Sequence, residues 1–91
     1  MQMTVKGVLQ RKKDTEIVST EFKKREFVVK TDEQHPQTLV FQLVNDKVGL
    51  IDNVNVDQNI SVTFDLRGKE YKKEGEEPKV FITLQAWKIE V

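Results

Sequence analysis

Residues 60–67, Ile-Ser-Val-Thr-Phe-Asp-Leu-Arg, alternate apolar and polar without a break. A period of two sends Ile60, Val62, Phe64 and Leu66 to one side and Ser61, Thr63, Asp65 and Arg67 to the other. That is the pattern of a strand with one face in a core. The same alternation, with β-branched and aromatic residues in the apolar places, recurs through most of the chain. Such a sequence has no long amphipathic helix to offer, so its core must come from sheet packed on itself. At 91 residues the chain fits one domain, 1–91, and buries only roughly 60–65% of the surface its unfolded form exposes.

Five strands are expected. The first covers Thr4–Lys13, with Val5 and Leu9 inward and Gly7 between them, where a missing side chain marks a bend or a close backbone approach. The second covers Phe22–Thr31, Phe27 and Val29 inward, Phe22, Lys24, Glu26, Val28 and Lys30 outward. A turn containing Pro36 leads to the third, Thr38–Val44, in which Leu39, Phe41 and Leu43 share a face. Asn45-Asp46 offers a helix N-cap before a short helix, Lys47–Asp52, that Gly49 weakens and that turns Val48 and Ile51 to one side. The fourth strand holds residues 60–67, a charged hairpin spans Gly68–Pro78, and the fifth strand covers Lys79–Glu90. In this last strand Val80, Ile82, Leu84 and Ala86 share one parity; Phe81, Thr83, Gln85, Trp87 and Ile89 share the other. The order β-β-β-α-β-β predicts an all-β fold, a five-stranded OB-fold Greek-key barrel with a short helix between strands 3 and 4. Barrel closure also removes the exposed edges that a small sheet would otherwise present.

Several function classes drop out. There is no Cys, hence no disulfide, thiolate nucleophile or zinc knuckle, and the lone His35 stands in a polar turn. The acidic residues lack the spacing of a calcium loop, and no nucleophile triad, phosphate loop or dinucleotide fingerprint is present. A hydrophobic fraction of 37% leaves little apolar surface for a cofactor pocket. The chain therefore reads as no enzyme, without catalytic residues, metal or cofactor. Neither a signal peptide nor a run of ~20 apolar residues appears, so a soluble, cytoplasmic protein off the membrane is expected.

Net charge is zero, yet it is unevenly spread. Residues 1–30 hold 8 basic and 4 acidic groups, residues 31–66 hold 1 and 6, and residues 67–91 hold 6 and 5. One face becomes basic if the two ends meet in space. An OB-fold takes single strands across its second and third strands, framed by the 1–2 and 4–5 loops. That geometry makes Arg11, Lys12, Lys13, Lys24, Lys30, Arg67, Lys69, Lys72 and Lys73 candidate phosphate ligands, and Phe22 and Tyr71 candidate stacking platforms. Carboxylates such as Asp14, Glu21, Glu70 and Glu76 dilute these groups, and simple solvation of a small barrel explains the charges about as well. Phe81 and Trp87 are candidates for stacking or for an interface; packing is the commoner role of a lone strand Trp. Apolar residues on both parities of the last strand raise a homodimer or higher oligomer.

Three stretches carry a resemblance: Phe22-Lys-Lys-Arg-Glu-Phe-Val-Val, Val40-Phe-Gln-Leu-Val-Asn-Asp-Lys-Val and Ala86-Trp-Lys-Ile-Glu. They resemble a family of small uncharacterised bacterial proteins, regarded as OB-folds similar to single-stranded DNA-binding proteins. Relatives tend to carry Gly-rich residues between the first two strands and Trp near positions 22 and 44, where this chain has Phe22 and Val44. The chain stops at Val91 without an acidic tail, which reads against recruiting partners through one. The resemblance implies binding of single-stranded nucleic acid, DNA first and RNA next, with little sequence preference, in replication, recombination or repair of a bacterium or phage. The alternative is an OB-fold protein–protein interaction module.

Overall fold

The first strand, β1 (Gln2–Lys12), serves two neighbours in turn, and this closes the sheet. In the computed structural model, which describes residues 1–91, Gln2–Val8 pair antiparallel with β5 (Asn59–Tyr71), while Gly7–Lys12 pair antiparallel with β3 (Lys23–Thr31). The changeover falls at Gly7. A Cβ there would run into the Lys30 carbonyl and lie 2.7 Å from Val29 Cγ1, so the residue without one permits the crossing. Between β1 and β3 lies a two-residue strand, β2 (Glu16–Ile17), that the alternation did not announce; it pairs with Lys23–Lys24. Next come β4 (Thr38–Val44), a 3-10 helix (Asn45–Ile51) and, after β5, the last strand β6 (Lys79–Glu90). The ring runs β1-β5-β6-β4-β3 and back to β1, with β2 appended to β3. Its seam is β4 beside β6, parallel and joined at one register position, Gln42 opposite Gln85.

Inside the ring lie Leu9, Phe27, Val29, Phe41, Leu43, Ile60, Val62, Phe64 and Ala86. The Phe41 ring is central, 5.4 Å from Phe27 and 5.0 Å from Phe64. Only 14 of the 91 residues are buried, the thin core that a chain this short affords. Val28 is buried as well, though on the outer side of β3, flanked in register by Arg11 and Val40.

The helix closes one end of the barrel with Ile51 buried, Val54 buried just after it and Val48 against the core. Its form corrects the sequence expectation. It is a 3-10 helix starting at Asn45, Val44 occupies the cap position, and no side chain caps it. The Asn45 carboxamide oxygen instead accepts the backbone N–H of Lys23 at 3.2 Å. The charged hairpin is corrected too. Strand pairing continues to Tyr71 opposite Lys79, so residues 67–71 and 79–83 form a two-stranded ribbon projecting beyond the barrel. The radius of gyration, 14.5 Å, exceeds the about 12 Å expected of a compact domain this size.

Two bulges re-aim side chains. One falls between Leu9 and Arg11, placing Arg11 opposite outward-facing Val28 and Lys12 opposite inward-facing Phe27. In the other, Thr63 pairs with Lys88 and Phe64 with Ala86, so Trp87 is the extra residue. Beyond it the parity of β6 reverses, and Ile89, expected beside Phe81 and Trp87, packs against the core. No helix is long and apolar enough to cross a membrane.

Candidate nucleic-acid interface

The outer side of β3 and β4 is set by their register: Lys24 opposite Val44, Glu26 opposite Gln42, Val28 opposite Val40, Lys30 opposite Thr38. Through Gln42 and Gln85 this face continues onto β6 and β5, where Thr83, Phe81, Arg67, Lys69 and Tyr71 take the same parity. Two hollows share Gln42 and Thr83 and so make one groove. A hollow of 630 Å³ has Lys24, Glu26, Val40, Ile82 and Leu84 as its other lining residues. A hollow of 320 Å³ is completed by Arg67, Gly68, Lys69, Tyr71, Phe81 and Gln85.

The second hollow carries the aromatic surface. Tyr71 and Phe81 are 50% and 55% exposed, and their rings meet edge to face at 5.5 Å. Lys69 holds its ammonium 5.1 Å from the Tyr71 ring centroid, within reach of the π face. No carboxylate lines this hollow, although Asp65 approaches Arg67 at 3.7 Å from the adjoining wall. Two large aromatic rings left in water on a ribbon are a surface on which bases or other flat groups can stack.

The remaining candidates scatter. Lys24 lines the larger hollow and stands 3.9 Å from Glu16. Lys30 is exposed on the same outer face, and Arg11 is exposed beyond it on β1. Lys13 is paired with Glu26 at 3.4 Å. Lys12 is turned away: its ammonium donates to the carbonyls of Ile51, Asp52 and Val54 at 3.3, 3.2 and 2.9 Å, capping the end of the 3-10 helix. Lys72 and Lys73 lie in the exposed loop at the ribbon tip, and Trp87 sits in the β6 bulge. Phe22 lines a separate cleft with Ile17, Glu21, Lys23, Asn45 and Asp46, sharing no residue with the groove.

Sequence reading passed over Val40, Gln42, Thr83 and Gln85 as ligand-facing residues, and also Arg25. An apolar Val40 on the outer parity of a strand was the available signal. Arg25 serves the scaffold: it donates to the carbonyls of Lys13 at 2.7 Å and Val48 at 3.2 Å and to the Asp52 carboxylate. The Arg25 hydrogen bond holds the Asp52 pKa below its ordinary 3.8; desolvation opposes it, and the charges of Arg25 and Lys12 add to the lowering.

A closed five-stranded barrel, capped by a short helix between its third and fourth long strands and bearing a groove on its outer face, is an OB-fold. The chain belongs to the family described as a Domain of unknown function (DUF3127), whose profile matches residues 4–90. Among solved structures, the mitochondrial single-stranded DNA-binding protein Rim1 of S. cerevisiae is similar with a TM-score of 0.76, over 100% of this chain and 94% of its own, at 11% identity. The N-terminal domain of PriB from Thermoanaerobacter tencongensis, solved as a dimer, gives 0.66 over 98% and 92% at 16% identity. The Plasmodium falciparum SSB, solved in complex with ssDNA, gives 0.60 over 98% and 90% at 14% identity. Likeness at such identities is likeness of fold. No curated protein matches the chain by sequence.

Proposed function

We propose that the protein binds single-stranded DNA with little dependence on sequence, in support of replication, recombination or repair. The observation that carries this is the exposed Tyr71–Phe81 pair beside Lys69 and Arg67, on a groove continuous with the outer face of β3 and β4. Bases stack on the two rings, while Lys69, Arg67 and, further along the face, Lys30 take the phosphates; Lys24 stands apart from them in the larger hollow, beside Glu26 and Glu16. Lys12 is left out because its donors are spent on backbone carbonyls, and Phe22 because it lines another cleft. Solved relatives of this fold that are named for single-stranded DNA binding support the reading, and the dimeric PriB domain supports a homodimer. The groove supplies cations, carboxamides and aromatic faces, the equipment of a binding protein rather than of an enzyme.

The test is fluorescence anisotropy of labelled oligo-dT at several salt concentrations. Neutralising a phosphate contributes a log–log salt slope of roughly −0.7, so three cations give about −2. Tyr71→Ala and Phe81→Ala each lose about 1–3 kcal/mol of binding, and Phe22→Ala leaves it unchanged. A flat salt response, or full affinity in both aromatic variants, overturns the proposal.

A further inference from the structure

The larger hollow differs in chemistry from its neighbour. From β3 and β4 it takes outward-facing residues alone, Lys24, Glu26, Val40 and Gln42, but from β6 it takes three consecutive residues, Ile82, Thr83 and Leu84. Consecutive residues of a strand point to opposite faces, so the hollow meets β6 along its edge. That edge is bare. β6 pairs with β5 on one side, and its other side joins β4 at Gln85 alone. Outside the strand ladders, no backbone hydrogen bond involves any residue from Lys79 to Thr83. Five residues of unpaired edge span about 17 Å, with donors and acceptors recurring at every second residue.

Soluble proteins guard such edges with charge, proline or a bulge. Here Pro78 and Lys79 guard the start, the bulge lies beyond at Trp87, and Val80-Phe81-Ile82-Thr83 between them has no guard. Val80 and Ile82 are 65% and 70% exposed. We infer that the free edge of β6 between Lys79 and Thr83 takes an extended polypeptide strand of a partner protein, which lies over Val40 and between Lys24 and Glu26.

Charge and periodicity select this occupant over a nucleic acid strand. Lys24 and Glu26 stand two residues apart on the wall, so the hollow has no net charge and Glu26 opposes phosphate. An extended peptide with an acidic and a basic residue two apart meets both wall charges at the strand's own repeat. Its alternate backbone groups match the β6 edge, and its apolar side chains on the outer face cover Val40. The site adjoins the Tyr71–Phe81 groove through Gln42 and Thr83, but its occupancy does not depend on nucleic acid binding.

The test uses the full chain, isotopically labelled, with amide shifts followed by NMR. The probe is a short blocked peptide of alternating valine and threonine ending in Glu-Thr-Lys. Saturable shifts in the millimolar range are expected, centred on Val40 and residues 80–84. Hydrogen exchange of the unpaired amides of β6, fast in the free protein, slows on binding. A peptide N-methylated on the amides that face β6 loses binding, and one methylated on the opposite set retains it. Val40→Lys, at an exposed position that leaves the core spectrum intact, weakens the peptide about tenfold or more. Absent or non-saturating shifts, shifts centred on Lys69 and Tyr71, or indifference to which amides are methylated would each overturn the inference. Oligo-dT titrated into the same sample reports separately on the nucleic acid site.

Discussion

Gly7 and Lys12 carry more of the barrel's closure than their size or charge suggests. A methyl at position 7 meets the Lys30 carbonyl, which belongs to a paired strand and cannot swing aside. Gly7→Ala is therefore expected to destabilise the fold by about 1–3 kcal/mol in urea unfolding. A midpoint equal to the wild type would show that β1 and β3 have room to part. Lys12 looks in the sequence like one of three consecutive cations, Arg11, Lys12 and Lys13, yet only it ends against three carbonyls. Lys12→Met keeps the aliphatic stem and removes the donors, at an expected cost of about 1 kcal/mol. Lys13→Met breaks only an exposed pair with Glu26 and costs about half that or less. Equal losses in the two variants would contradict the cap.

At the scale of elements, the 3-10 helix is a lid with no cap of its own, held by Lys12 and Arg25 from the barrel wall. Asp52 completes the latch as a carboxylate. Its pKa is lower folded than the ordinary 3.8, so its contribution is present above that value and is lost as pH falls through the folded pKa. Wild type and Asp52→Asn are expected to converge in stability below pH 3.8 and to differ at neutral pH. Urea midpoints measured in parallel isolate the latch from Glu90, which the hydrogen bond and charge of Lys88 also hold low. A difference that stays constant through the acid range would remove Asp52 from the latch. The helix shows why its detail escaped the sequence. Val48 and Ile51 declared which side is apolar, but Asn45 had two backbone partners on offer, and the Lys23 N–H that it takes is distant in the chain.

The whole molecule divides into a barrel that holds the core and a ribbon that holds most of the candidate groove. No core residue lies between Arg67 and Thr83. Joining Gly68 to Ile82 through an Asn-Gly turn in place of residues 69–81 should leave unfolding stability within about 1 kcal/mol of the wild type. It should abolish oligo-dT binding, since Lys69, Tyr71 and Phe81 go with the ribbon. A large loss of stability would mean that the ribbon belongs to the folding unit.

Alternation, length and turn residues determined the strand order, the inward sets Phe27/Val29, Leu39/Phe41/Leu43 and Ile60/Val62/Phe64, and hence the barrel. These are local properties, because a period of two is written into neighbouring residues. The close approach at Gly7 was legible for a similar reason, since a missing Cβ in a strand has few other uses. The two bulges were not legible. Each depends on how many residues the partner strand sets opposite a segment, and that exchanged the roles of Arg11 and Lys12 and turned Ile89 inward. Tertiary structure alone also decided which aromatic residues meet. Phe22 and Tyr71 carry equal weight in the sequence, but Phe22 lines the cleft beside Asn45, while Tyr71 finds Phe81 across the ribbon. A sequence lists the side chains that can stack or pair; the register of strands far apart in the chain selects which of them share a surface.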